Sequence, residues 1–561
     1  MPGHKNKNNR SQYLYPIYLR WVVICLYSML CFTEVASKDN IYTSINQVTA
    51  LSVKQQNQSE NKRTSRKTSY TPQIPVSDSS GFRVYQPQLI PAPSSLQELQ
   101  ADLALILDSP DLLNAHIGVS VFNIEDNEEI FKFNNLKNFV PASVNKLFIT
   151  AASLELLGSS YAYQTDLYLS GDLALDGRFI GDLIIKGSGD PTLSEIFHED
   201  PTVIFDDWIQ QLKLLGIKSI VGNIIGDDSF FDSDYYAVGW DYMDLKKPFA
   251  AQVNALSIFE NKVEISIIPP DKPGGKPEYY MFPENTYLEV YNYLQTAQPH
   301  EKSIVTVLSE PNSNLVELYG NIYNEDKMDI KQEDISVSNP TLFFLELLRA
   351  RLEEFEIALD GELVDYNELD QEIDYSTATR VPGWISPPIK EIIKEVNKSS
   401  NNLIAEMLLK TIAKEKTGVG SYSNGTNQLA EYLISKGINP SMILLKDGSG
   451  LSRNNLVSPY VVSKLLTSIY KSKSRDHFMT SLAKPGEKGT LHNRLLGSDA
   501  ERKVFAKTGS MNNVSTLAGY IKTKNNKTLA FSILVNNFTV PISVVRSIQD
   551  LLVMRMVNYS Q

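Results

Sequence analysis

The stretch from Val140 to Gly158 places the tightest constraint on how this chain can fold. Pro141 and Ser143 open it, an apolar run continues to Leu157, and Gly158 ends it. Proline suits the first turn of a helix, where its missing N–H costs nothing, and glycine suits the position just past a helix end. The spacing predicts a helix in which Leu147, Phe148, Ala151, Ala152, Leu154, Leu156 and Leu157 cover nearly every face. Such a helix has no solvent side and belongs inside the fold. Its first turn nevertheless carries Ser143 and Lys146, three residues apart and so on one face. Burial strips hydration from a lysine charge and lowers its pKa, which makes the amine a base at neutral pH. A serine beside that base, at a helix start rich in free N–H groups, is a candidate nucleophile.

Ser-x-x-Lys alone is a cheap pattern. It recurs at Ser59–Lys62, Ser468–Lys471 and Ser481–Lys484, so context has to select among the copies. Two further clusters supply context. Lys398-Ser399-Ser400-Asn401-Asn402 stands at the head of another apolar helix, Leu403 to Leu409, repeating the design at Ser143. Lys507-Thr508-Gly509-Ser510 ends a strand, where a lysine, a threonine and a serine can hold a carboxylate. The absent side chain at Gly509 lets a ligand lie against that strand. A second copy, Lys416-Thr417-Gly418, reads instead as a helix end capped by Gly418. Asp447 to Arg453 forms a turn with two glycines, able to pack backbone closely.

Bulk composition removes several function classes. At 561 residues the chain needs more than one core, roughly two to four structural units. Its net charge of −12 argues against nucleic acid as a partner. Both cysteines, Cys25 and Cys31, lie near the start, so the remainder has no disulfide, thiolate metal site or cysteine nucleophile. The six histidines form no His-x-x-x-His, and there is no Gly-x-Ser-x-Gly elbow. A zinc peptidase or a Ser-His-Asp hydrolase is therefore poorly supported.

In chain order, residues 1–37 read as an export signal or anchor. Lys5, Lys7, Arg10 and Arg20 precede the apolar run Trp21–Phe32, and Val35-Ala36-Ser37 offers small residues for cleavage. That run is short of the about 20 residues of a membrane span, so membrane contact is expected at most through this segment. Residues 38–93, rich in Asn, Gln, Ser, Thr and Pro, read as a solvated linker without assigned structure. Leu96–Leu107 is an amphipathic helix, and Ile117–Asn123 with Ile130–Phe133 a hairpin turning at Asp126-Asn127. Residues 94–163 thus open one domain, which resumes over 386–561.

Between them, 164–385 is dominated by short strands (Leu167–Leu169, Phe179–Lys186, Ile220–Ile225, Val263–Ile268, Ile304–Leu308), with one helix at Leu342–Phe355. It reads as an insertion of two subdomains, with no dividing point fixed by the sequence. Glu353 to Asp374 holds ten acids and no Lys or Arg, which reads as a solvated face; binding of basic wall peptides is the alternative. After Ser386 the pattern turns helical at Ile389–Asn397 and Tyr460–Tyr470. Three strands follow at Lys503–Lys507, Thr516–Lys522 and Thr528–Asn536, then a helix at Ile542–Val557.

Ser143-x-x-Lys146, Ser400-x-Asn402 and Lys507-Thr508-Gly509, in this order, resemble the three motifs of penicillin-binding proteins and serine β-lactamases. Gly187 to Leu193, Asp447 to Arg453, and Lys488-Gly489-Thr490-Leu491 with Arg494 resemble one subgroup, the class C low-molecular-mass D-alanyl-D-alanine carboxypeptidase/endopeptidases. The resemblance implies an α/β (α+β) penicillin-binding fold, an antiparallel sheet flanked by helices. Two strand-rich subdomains are then inserted after the Ser143 helix, one nested in the other. The middle motif has Asn401 where many relatives have Asp.

The resemblance also implies roles. Ser143 attacks the bond between two D-alanines of a peptidoglycan stem peptide. Lys146 takes its proton, Ser400 relays a proton to the leaving amine, and Asn402 holds Lys146 and the substrate amide. Lys507, Thr508 and Ser510 bind the terminal carboxylate, with Ser143 and Ser510 N–H groups as the oxyanion hole. β-Lactams are the implied inhibitors, no metal or organic cofactor is needed, and the bulk of the chain lies in the periplasm or cell envelope. Each residue also has an ordinary structural reading: a serine or asparagine can merely cap a helix, and Lys146 can snorkel to solvent. The rival functions are a β-lactamase on the same fold, disfavoured by the lack of Tyr-x-Asn in place of Ser400-x-Asn402, and a catalytically silent wall-binding protein.

Overall fold

The computed structural model describes residues 92–270, 275–297, 301–322 and 331–560, with the backbone of 76–77 and 83–84. The expected export signal and nearly all of the expected linker lie outside the described residues. Within the linker span, Val76–Ser77 and Arg83–Val84 pair as a short antiparallel ladder, where the sequence reading assigned no structure. Two residues a side leave no periodicity to read. No described helix is long and apolar enough to cross a membrane.

Helix α1 (Leu96–Leu107) begins at Ser95, whose hydroxyl accepts the Glu98 N–H, while the Glu98 carboxylate accepts the Ser94 N–H at 2.8 Å. This reciprocal capping satisfies donors that a helix start leaves open. Leu99, Leu103 and Leu107, four residues apart, form its buried stripe. Strands β1 (His116–Asn123) and β2 (Glu128–Phe133) form the hairpin, with Asn127 in the left-handed region. Helix α2 (Lys146–Ala152) follows a 3₁₀ turn over Ala142–Asn145, and a π turn over Ser153–Leu157 ends at Gly158. All seven α2 residues are buried.

Past the insertion come α3 (Ile389–Lys398), α4 (Asn402–Thr417), α5 (Tyr422–Ser435), α6 (Pro459–Tyr470) and α7 (Arg475–Ser481). Strands β3 (Val504–Met511), β4 (Val514–Lys522) and β5 (Thr528–Asn536) precede α8 (Ile542–Val557). The five strands make one antiparallel sheet in the order β3-β4-β5-β1-β2, so the two ends of the chain's amphipathic pattern meet at the β5–β1 seam. Every residue of β5 is buried, because the sheet is covered on both faces. On one face Val504, Ala506, Leu517 and Phe531 pack with α1 and α8; on the other Phe505, Ala518 and Leu534 pack with α2, α3, α4 and α6. β3 is the sheet edge, bridged on its outer side by Ala483 at Ala506, and the turn leading into α2 packs on its face at Gly509.

The intervening segment has its own core. A mixed seven-stranded sheet is built from Gln164–Leu173, Arg178–Lys186, Ser219–Val221, Ile224–Asp227, Ala358–Asp360, Leu363–Asp365 and Thr379–Ile385. Ser219–Val221 and Ile224–Asp227, which the apolar pattern ran together, pair with successive parts of Arg178–Lys186. Helices Val203–Leu214 and Pro340–Glu354 cover it through Phe205, Trp208 and Phe344. Two smaller sheets fall in sequence between these parts, one centred on Lys262–Ile268 and one on Leu315–Ile322. Of the acidic stretch 353–374, Asp365 is not solvated: it is buried and accepts the Asn339 side-chain amide at 2.8 Å.

Candidate active site

The three polar clusters converge on one point. Lys146 Nζ donates to Ser143 Oγ at 3.0 Å and to Asn402 Oδ1 at 2.7 Å. Lys507 Nζ donates to Ser400 Oγ at 2.8 Å. A Cβ placed on Gly509 would stand 2.9 Å from the Ser143 nitrogen. Each cluster therefore touches the other two, across separations of 107 to 256 residues for the side-chain bonds.

Local backbone aims these side chains. Ala142 and Ser400 both have positive φ, 46° and 68°. Non-glycine residues hold such conformations only where surrounding structure over-determines them. At Ala142 the constraint is visible: Gly450 packs so closely that a Cβ on it would lie 2.0 Å from the Ala142 carbonyl oxygen. The Thr516 hydroxyl donates to the Pro141 carbonyl at 2.7 Å from the other side. Asn145, buried, donates to the Asp447 carbonyl at 2.9 Å. The turn carrying Ser143 is thus clamped between β4 and the Asp447–Arg453 turn. Gly509 contributes to this clamp, since the space of its missing side chain is filled by Pro141, Ser143 and Thr516 atoms. Glycine is required there by close backbone packing, a reason different from the ligand clearance read in the sequence.

Lys146 does not snorkel; it is fully buried. Its third donor goes to the Ser449 carbonyl at 2.6 Å, so all three hydrogens of the ammonium have acceptors. Burial pushes its pKa well below the ordinary lysine range, while the Glu406 and Asp447 carboxylates pull it back upward. Lys507 is also fully buried, and burial first, then the charge of Lys146, holds its pKa well down. Two lysines in one dry site cannot both keep their charge cheaply.

Sequence reasoning missed the carboxylates beneath this pair. Glu406 lies one turn into α4, fully buried, and accepts the N–H groups of Gly448 and Ser449 at 2.7 Å each. It thereby fixes the turn whose Ser449 carbonyl holds Lys146. Burial raises its pKa first of all, aided by Asp447. Asp447 accepts the Gly450 N–H, the Asn455 side chain and the Trp240 indole N–H at 3.0 Å. The signal for Glu406 was present as a single acid inside an apolar helix, but its partner lies 42 residues away.

Also unforeseen is the bracing of the site by the insertion. Phe249 supplies its carbonyl to the Asn402 side-chain amide at 2.7 Å, and Val238 its carbonyl to the Ser452 hydroxyl at 2.7 Å. Glu260 accepts from Asn401, whose own Oδ1 caps α4 at the Ile404 N–H. Asn401 is thus a helix cap and a tether. The stretch Lys488–Leu491 supports the second cluster from below: the Thr490 N–H binds the Lys398 carbonyl at 2.9 Å. Gly187 to Leu193 lies in the insertion core, where Asp190 is buried and accepts the Thr192 N–H and hydroxyl.

On β3 the side chains alternate. Val504 and Ala506 face the α8 side and Phe505 the α2 side, so Lys507 and Gly509 face Ser143 while Thr508 and Ser510 face α8. Thr508 is half-buried and Ser510 exposed. Among the described residues no cluster of three or more His, Cys, Asp or Glu side chains could hold a metal. A serine hydroxyl, a dehydrated amine in contact with it, a second serine on a second lysine, and an edge strand beside them together suit acyl transfer.

Comparison with known proteins follows the same line. Residues 99–559 match the model of the D-Ala-D-Ala carboxypeptidase 3 (S13) family. The chain is 30% identical over 475 residues to the D-alanyl-D-alanine carboxypeptidase of Actinomadura sp. (strain R39), covering 83% of this chain and 85% of that protein. It is 26% identical over 433 residues to the D-alanyl-D-alanine carboxypeptidase DacB of Haemophilus influenzae, covering 76% and 86%. The crystal structure of penicillin binding protein 4 (dacB) from Haemophilus influenzae superposes with a TM-score of 0.69 at 25% identity, over 82% of this chain and 98% of that one.

Proposed function

Because the chain belongs to the D-Ala-D-Ala carboxypeptidase 3 (S13) family, a family of serine peptidases acting on peptidoglycan, we propose that Ser143 is its nucleophile and Lys146 the base that activates it. The observation that carries this reading is the 3.0 Å contact between Ser143 Oγ and the Nζ of a fully buried Lys146. In its neutral form that amine accepts the Ser143 proton as Oγ attacks the carbonyl carbon of the penultimate D-alanine. The tetrahedral oxyanion forms beside the Ser143 and Ser510 N–H groups, donors of a kind that contribute about 10²–10³ in rate. The C–N bond then breaks, and Ser400, hydrogen-bonded to Lys507, passes a proton to the leaving D-alanine amine. Water attacks the resulting ester and returns Ser143 its proton.

Asn402 keeps Lys146 aimed through Oδ1, and its amide N–H not bound to Phe249 is available to the substrate backbone. Thr508, Ser510 and the charge of Lys507 receive the terminal carboxylate, and the stem peptide lies along the β3 edge. Substrate and inhibitor are the peptidoglycan stem peptide and the β-lactam. The name of the Haemophilus influenzae relative, a penicillin binding protein, supports the second. Because that substrate is found in the cell wall, we place the protein outside the cytoplasm, in the periplasm or cell envelope, with residues 1–37 as its export signal.

Intact-protein mass after brief incubation with benzylpenicillin tests the assignment, wild type beside Ser143→Ala. An adduct on the wild type alone is expected. No adduct on folded wild-type protein would overturn it in favour of silent wall binding, and penicillin consumed without a trapped adduct would reveal a β-lactamase.

A further inference from the structure

The α8 face of the site holds a cation that the assignment above leaves idle. Arg546, on the first turns of α8, donates from Nη2 to Ser510 Oγ at 3.1 Å. Ser510 and Thr508 share the face of β3 that looks toward α8, as the packing of Val504 and Ala506 against that helix fixes. Among the described residues Arg546 makes no ion pair. The nearby carboxylate, Asp550, spends its hydrogen bonds on Arg494, at 2.7 and 3.1 Å. Arg494 is in turn tied to the Arg546 carbonyl and to Gln549. One acid therefore answers two guanidiniums, and the Arg546 charge is the one left over. Partial burial and the Arg494 charge both work against its protonated form, which an incoming anion would relieve.

A guanidinium offers five donors in a fork that fits a carboxylate, and among the described residues one of them is engaged, by the Ser510 hydroxyl. We infer that Arg546 binds the terminal carboxylate of the substrate together with Thr508 and Ser510, and so makes the site select peptides that end in a free D-alanine. This rests on the serine-peptidase reading above and adds to it a determinant of substrate choice. Carboxypeptidase action presents a free carboxylate at this position. Endopeptidase action on a cross-link presents one only where the D-amino acid beyond the cut bond bears its own.

The test is steady-state hydrolysis by the full chain of one acyl-D-alanyl-D-alanine peptide and its C-terminal amide, for wild type, Arg546→Gln and Arg546→Lys. Glutamine keeps a donor for Ser510 and removes only the charge. Losing a charge-assisted pair should lower the carboxylate-over-amide ratio of kcat/KM by about tenfold to a hundredfold, mainly through KM, with Arg546→Lys intermediate. An unchanged ratio in Arg546→Gln, whether or not both rates fall, would overturn the role of Arg546 while leaving the serine-peptidase reading intact. Failure of the wild type to release D-alanine from the acid or D-alaninamide from the amide would overturn both.

Discussion

The Glu406 carboxylate and the Ser449 N–H meet at 2.7 Å in a fully buried position, and the carbonyl of the same Ser449 holds the amine of Lys146. A side chain with no contact to Ser143 thus sets where the Lys146 amine sits. Glu406→Ala should orphan two buried N–H groups and leave a void. At about 1–3 kcal/mol for each lost partner, destabilisation of about 3 kcal/mol or more is expected. Urea melts measure this, and penicillin acylation should slow beyond what the unfolded fraction explains.

The pH dependence of acylation should report Lys146. The amine must be neutral to accept the Ser143 proton, and burial depresses its pKa. The rate should therefore rise with pH along a limb lying well below the ordinary lysine pKa and then level. Stopped-flow acylation across pH measures the limb. Lys146→Met should remove it along with about 10²–10⁴ of the rate. A limb at the ordinary lysine value would show that another group is the base.

Gly450→Ala should cost both fold and rate. The added methyl would lie 2.0 Å from the Ala142 carbonyl oxygen, and Gly450 holds φ +86. Backbone must move, and the turn carrying Ser143 moves with it. A left-handed alanine alone costs about 1–2 kcal/mol, so thermal melts should fall and acylation slow together. Gly437→Ala, which meets no atom within 4 Å but holds φ +72, is the control for backbone strain without collision.

Lys410, wholly buried in α4, donates to Asp232 Oδ1 at 2.7 Å and to the Asp234 carbonyl at 2.7 Å. This is a tie between the second helix of the site and the insertion. Asp232→Ala leaves a buried charge short of its carboxylate and should destabilise by about 2–4 kcal/mol, with Lys410→Met costing less because no charge remains inside. Equal losses in chemical denaturation would show that the pair acts through packing alone.

Much of the local structure was legible. Leu96–Leu107, Thr528–Asn536 and Ile542–Val557 fall where their periodicity places them. Gly418 caps α4, so the Lys416 copy of the triplet is a helix end. Helix α5 was missed because Gly425 and the polar run at its start lower helix propensity. Tertiary packing overrides this, since a Cβ on Gly425 would meet Leu409 at 2.7 Å. Its cap, Ser421 accepting the Asn424 N–H, was the available signal.

By itself the sequence determined the helices and strands with clear periodicity, such as α1, β5 and α8, and that polar clusters head two buried helices, because periodicity and capping are encoded within a few residues of each other. Only the tertiary structure decided which Ser-x-x-Lys is enclosed with the other two polar clusters. Lys146 is enclosed among Ser143, Asn402 and Ser449, whereas Lys484 lies at the surface against Glu487 and Ser481 serves as a core partner of Asn397. It also decided that Glu406 props the turn holding Lys146, that Phe249 and Glu260 of the insertion brace the second cluster, and that Arg546 reaches Ser510. Each of these contacts joins residues 36 to 153 positions apart. Their energy depends on desolvation and on meeting geometry, and neither leaves a trace in local sequence.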